Sequence, residues 1–202
     1  TPQEPRRKTT AMADLLGVDG IVHLSVESGC GGTTFALQVA REQLTGGAHV
    51  VWVCAEMPNS ERFSQLYSEV DLVAVSRLHV IAVGENIIQG LTSANSMVAA
   101  LDSISMVIID DWAPKSGQVP SEILDGMKGL IESAESHDVS LLMVSSSYED
   151  ASGNQKWKSR GNLDCEVWFL TRSDTMPSVR ELHREESVVK FNLLDEGFIP
   201  RT

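Results

Sequence analysis

Ser25-Val-Glu-Ser-Gly-Cys-Gly-Gly-Thr-Thr34 decides the fold class of this chain. It follows an apolar run, Ile21-Val-His-Leu-Ser-Val26, with the composition of a strand. It leads into Thr33-Thr-Phe-Ala-Leu-Gln-Val-Ala-Arg-Glu-Gln-Leu44, which reads as a helix. Strand, glycine loop and helix in that order frame a phosphate loop, whose pattern is G-x-x-x-x-G-K-[ST]. Aligning Thr33 with the hydroxyl position puts Gly31 on the second glycine, Gly32 on the lysine and Val26 on the first glycine. A glycine-rich turn without ligand chemistry fits the same residues, because Gly and Ser punctuate many strand-to-helix connections.

Outward from this loop, apolar runs alternate with helical stretches. Ile21–Val26, His49–Cys54, Leu78–Val83, Met106–Asp110 and Val139–Val144 are nearly continuous in Val, Ile and Leu, the pattern of strands buried on both faces of a parallel sheet. Thr33–Leu44, Ser60–Val70, Ala94–Leu101 and Pro120–Ser136 read as the intervening helices, with Asn59-Ser60 offering a cap to the second. After Val144 the chain turns polar. Cys165–Leu170, Ser178–His183 and Val188–Leu193 then read as strands joined by short turns, with Asp195-Glu-Gly197 marking another turn. The expected fold is α/β: a mostly parallel twisted sheet flanked by helices, with antiparallel strands at its C-terminal edge. The expected organisation is a disordered arm over residues 1–10 and a single domain over 11–202.

Composition limits the function. The chain has 202 residues, 42% of them hydrophobic, enough for a substantial core. No apolar run reaches the roughly 18–20 residues that span a bilayer and no signal peptide is visible, so a cytoplasmic protein is expected, or a nuclear one in a eukaryote. Three scattered cysteines fit a reducing compartment. Cys30 stands apart, lying just before a helix N-terminus, where thiolate formation is favoured. A formal net charge of -12 opposes strong binding to a phosphate backbone.

Two further stretches carry candidate chemistry. Met106-Val-Ile-Ile-Asp-Asp111 is an apolar strand ending in carboxylates, the position from which a phosphate-loop protein sets an aspartate beside magnesium. Asp110 is the candidate for the metal side, together with Thr33, and Asp111 for a cap or partner contact. Val50-Val-Trp-Val-Cys-Ala-Glu56 ends a second strand in a glutamate that can orient a water for attack on a terminal phosphate. A turn aspartate and a solvated strand-end acid are the plain alternatives.

Taken in order, the loop, Glu56, the Met106–Asp110 strand and the C-terminal strands resemble the RecA/RadA recombinase ATPase core, and most of all the short archaeal RadB-like paralogues. Val51-Trp-Val-Cys-Ala-Glu-Met-Pro-Asn-Ser-Glu-Arg-Phe looks like that family's catalytic glutamate and arginine-bearing helix start. Val144-Ser-Ser-Ser-Tyr148 looks like the strand end from which its DNA-contacting loop departs, and Arg180–Glu186 with Val189–Phe198 resemble its final hairpin. The resemblance implies a RecA-like core over about residues 11–202. It also implies a nucleotide site at Gly29, Cys30, Gly31, Gly32, Thr33, Thr34, Asp110 and Ser147, with Glu56 as the vestigial catalytic residue.

The departures from that family bear on activity. Gly32 replaces the lysine that bridges the outer phosphates, Ser147 stands where the family has a phosphate-sensing glutamine, and Val26 replaces the first glycine. A lost charge-assisted hydrogen bond costs about 1.5–3 kcal/mol, a roughly ten- to hundredfold drop in phosphate affinity. Weak binding of ATP with magnesium remains open and no tightly held cofactor is expected. Lys156, Trp157, Lys158 and Arg160 mix stacking and phosphate-contacting side chains in the loop where the family touches single-stranded DNA. A solvated or protein-docking loop fits them too.

Three readings follow: a catalytically degenerate accessory or assembly subunit in homologous recombination and DNA repair; a genuine ATPase with an unorthodox loop; and a ring scaffold of the Elongator type in tRNA modification. The first implies a RecA/RadA-like partner or a homo-oligomer, weak single-stranded DNA contact at most, and no membrane.

Overall fold

The computed structural model describes residues 15–149 and 157–201. The expected arm over residues 1–10 and the Lys156 position therefore lie outside the described residues. Nine strands form one sheet in the order β3-β2-β4-β5-β1-β6-β7-β8-β9. Their bounds are β1 Ile21–Val26, β2 His49–Cys54, β3 Leu78–Ala82, β4 Ile104–Asp110, β5 Ser140–Ser146, β6 Glu166–Arg172, β7 Val179–His183, β8 Val188–Leu194 and β9 Gly197–Pro200. The first six strands across the sheet run parallel, and β6 to β9 are antiparallel neighbours.

Alternation along the central strands divides the core. Val50, Trp52, Met106, Ile108 and Leu142 face one side, where α1 (Gly32–Thr45), α2 (Ser60–Tyr67) and the four-residue α3 (Leu72–Val75) pack. Val51, Val53, Val107, Ile109 and Leu141 face the other, covered by α4 (Ile87–Ala100) and α5 (Ser121–Ser136). Burial on both faces explains why these strands read as unbroken apolar runs.

Beyond shifts of a residue or two at the element ends, the structure departs from the sequence reading in two helices and two strands. The helix expected over Ala94–Leu101 begins at Ile87, because the Asn86 side chain caps it by accepting from Gln89 N. Gly90 does not break it. A Cβ there would lie 2.5 Å from a Val53 methyl, so glycine permits a close helix–sheet approach. The helix expected over Ser60–Val70 stops at Tyr67, and α3 starts anew at its own cap, Asp71. Strand β6, expected within the antiparallel appendage, runs parallel to β1 and so extends the parallel sheet. A ninth strand, β9, follows the turn at Asp195–Glu196. Among the described residues no helix is long and apolar enough to cross a membrane.

Candidate nucleotide cleft and the loops around it

Strands β1, β4 and β2 point their C-terminal ends at one cleft beside the N-terminus of α1. Thr33 and Asp110 meet there. The Thr33 hydroxyl donates to Asp110 Oδ2 at 3.0 Å, joining the loop to the β4 tip across 77 residues. Burial pushes Asp110 up to about 6, the Thr33 hydrogen bond opposes that rise and the neighbouring Asp111 adds to it. A hydroxyl beside a carboxylate is a hard-oxygen donor pair that suits magnesium, so Thr33 and Asp110 are the residues that would hold it. Glu56 is exposed on the wall of a cavity of about 530 Å³ that also includes Thr33, Thr34, Arg62 and Asp110.

The loop itself is shaped by its glycines. Gly31 caps α1 in the left-handed region with φ 90, and a Cβ there would lie 3.0 Å from Leu193 Cδ2 and 3.4 Å from Phe198 Cζ. Gly32 has ordinary helical geometry, yet a Cβ on it would lie 2.9 Å from Val26 Cγ2 and 3.1 Å from Val144 Cγ1. A side chain on Gly32 would therefore meet the valines at its first carbon. Val26 and Val144 fill the space into which any side chain at Gly32 would grow.

Cys30 corrects the sequence reading of a favoured thiolate. Its side chain is fully buried in the core, away from the cleft, and burial with the nearby Glu27 carboxylate pushes it up to about 11. Glu27 is half-buried beside the cleft, its carboxylate accepting from Arg172 N at 2.6 Å. Gly29 is exposed at the rim, 3.6 Å from Arg172 Nη2 when given a Cβ. Ser147 donates its amide to Val26 O, and its hydroxyl is buried without a partner. From β5 it is Ser145 and Ser146 that line the cleft.

Two cations in the cleft were missed by sequence reasoning as site residues. Arg62 donates through Nε to Thr34 Oγ1 and through its Nη atoms to Leu194 O, Asp195 O and Gln65 Oε1. It ties the start of α1 to the β8–β9 turn. Lys115 leans over the cleft from the loop after β4, its Nζ 4.0 Å from Asp111 Oδ2. Asp111 itself sits at φ 56, which turns the chain sharply out of β4.

Beyond Ser146, Tyr148 and Lys158 form an antiparallel bridge that closes the base of the polar loop. Trp157, Lys158 and Arg160 are all half-buried. Arg160 lies over the Tyr148 ring, 5.2 Å from its centroid, and donates to Lys115 O and Gly117 O. Its guanidinium holds the two loops together.

The geometry has a counterpart among solved structures. Superposition on "Crystal structure of the RadB recombinase" gives a TM-score of 0.72, covering 94% of this chain and 96% of that one at 18% identity. The fold is RecA-like, of the RadB type. No family model matches the sequence, and no curated protein matches it. Because 407 solved chains match this fold, the RadB-type architecture narrows the chemistry only through the residues in its cleft.

Proposed function

We propose that this chain is an accessory or assembly subunit in homologous recombination and DNA repair, a RecA-like core that has given up efficient ATP hydrolysis and acts through protein contacts. The packing of Val26 and Val144 against Gly32 carries the reading. Phosphoryl transfer is catalysed by positioning and charge neutralisation, and here the phosphate loop brings no cation and has no room to regain one singly. Glu56 then stands at the β2 tip without an activated phosphate to serve.

The surface supports a role in contacts. Strand β3 is an edge of the sheet. Beside it an apolar hollow of about 380 Å³ is lined by Leu37, Trp52, Met57, Phe63, Val75 and Val80. Met57 is 60% exposed and, close by on α3, Leu72 is 82% and Val73 62% exposed. In a chain with a net charge of -12, such an apolar edge marks an interaction face. Its occupant in this reading is a RecA/RadA-like protein or a second copy of the chain, with weak single-stranded DNA contact through the loop at Trp157 and Lys158.

The test is purification from the native host with and without the pair Met57→Glu, Val80→Asp. The wild-type chain should bring down a RecA-fold partner or itself, and the variant should lose it while melting normally. ATP turnover by the isolated chain that disappears in Asp110→Ala would overturn the proposal.

A further inference from the structure

We propose that Lys115 supplies, from the far wall of the cleft, the cation that the phosphate loop lacks, so that the cleft holds a magnesium-bound polyphosphate in a rearranged manner. This goes beyond the partner reading, since a partner complex on the β3 edge stands whether or not the cleft fills.

The cleft has two lobes. One, of about 530 Å³, reaches from Thr33 towards Glu56 and Arg62; the other, of about 260 Å³, runs under Glu27–Gly29 to Ser146. The residues common to both are Thr33, Asp110, Asp111 and Lys115, so Lys115 stands at their junction. Its side chain is 79% exposed and its separation from Asp111, 4.0 Å, is too long for a hydrogen bond. Such a surface ion pair is worth little and yields readily to a better-placed anion. Arg62, the other cation of the cleft, is already committed to four protein oxygens.

Across the cleft, Gly32, Thr33 and Thr34 precede the first intrahelical bond of α1, Phe35 N to Gly31 O, and Gly31 offers no capping side chain. Their amides are the unsatisfied donors of a helix start. An anion at the junction therefore meets amides on one side and the Lys115 ammonium on the other. Asp110, Asp111 and Glu56 face the same space. They oppose a bare anion and favour one carrying a divalent cation, which Thr33 and Asp110 are placed to hold. The valines that close the loop's own lysine position leave the far wall as the route by which a cation enters, and two adjoining lobes suit a ligand longer than one phosphate.

Calorimetry on the full chain with pyrophosphate and with ADP, each with magnesium, tests this. Binding of either by the wild-type chain should weaken about tenfold or more in Lys115→Ala and survive within about threefold in Lys115→Arg. Lys128→Ala, on the exposed side of α5, should leave it unchanged. Both positions are exposed, and thermal melts of the three variants establish that they fold. Absence of binding by the wild-type chain, or equal binding by Lys115→Ala, overturns the proposal. Neither result touches the partner reading, which is decided on the β3 edge.

Discussion

Gly32→Ala adds a single carbon, and its cost measures how tightly the glycine loop is packed. The new Cβ would sit 2.9 and 3.3 Å from the two Val26 methyls and 3.1 Å from a Val144 methyl. Overpacking of this kind costs about 1–3 kcal/mol, against which alanine's helix preference over glycine returns at most about 1 kcal/mol. A net loss of about 1–2 kcal/mol is expected. Val26→Ala removes two buried methyl groups and should cost about 2 kcal/mol by itself. In the double variant the worst contacts are gone, so the two losses should not add. Urea unfolding of the four proteins at one temperature closes the cycle. The expected coupling is about 1–2 kcal/mol in favour of the double variant, well above the scatter for independent sites. Coupling below about 0.5 kcal/mol would show that Val26 yields freely. The loop would then have room for a longer side chain, and Gly32→Lys should fold with a similar small loss.

The remaining expectations concern the cleft carboxylate and the polar loop. Asp110 is raised from 3.8 to about 6, so the folded chain binds a proton there that the unfolded chain does not between those values. Its contribution to stability is present below about pH 4 and is lost as pH rises through about 6, by at most about 3 kcal/mol. Urea unfolding of wild type and Asp110→Asn from pH 4 to 7 should show a difference that changes in that window; a flat difference refutes the shift. His23, lowered to about 4 by burial, works in the opposite direction and cancels because both proteins carry it. In the loop, Lys158→Ala should reduce the salt slope of any single-stranded DNA binding by about 0.7, and an unaltered slope excludes it as a phosphate contact. Arg160→Ala should instead speed amide exchange around Lys115–Gly117, whose carbonyls its guanidinium holds, and protection equal to wild type would remove that role.

Much of this architecture can be read from the sequence because of where its strands lie. Val50 to Cys54 and Met106 to Ile109 are buried on both faces, so they cannot alternate with polar residues and announce themselves as apolar runs. The Thr33–Asp110 pair is legible for a related reason: Asp110 ends such a run, and Thr33 lies at the start of the helix after the glycine loop that follows another. What escapes is whatever depends on distant neighbours. Gly90 looks like a helix breaker until Val53 is seen beside it. Cys30 sits where a thiolate is favoured locally, yet its side chain enters the core. Lys115 and Arg62 sit in polar segments whose composition says only that they are exposed, and the turns after β4 and before α2 bring them to the cleft. The likeness to the RecA/RadA core predicts the order of elements, which the RadB-type superposition bears out. The coupling of Val26 to Gly32 shows only in the packing.

The wall against which the glycine loop rests is made late. Gly31 lies on Leu193 and Phe198, and Gln38 in α1 exchanges two hydrogen bonds with Phe198 across 160 residues, while Arg62 grips the carbonyls of Leu194 and Asp195. A ribosome delivers the loop well ahead of this surface, from which Gln38 is separated by 160 residues. Until β9 has emerged, the β1–α1 junction lacks the side chains it rests on here, and a nascent chain stalled before Phe198 carries the glycine motif without that support.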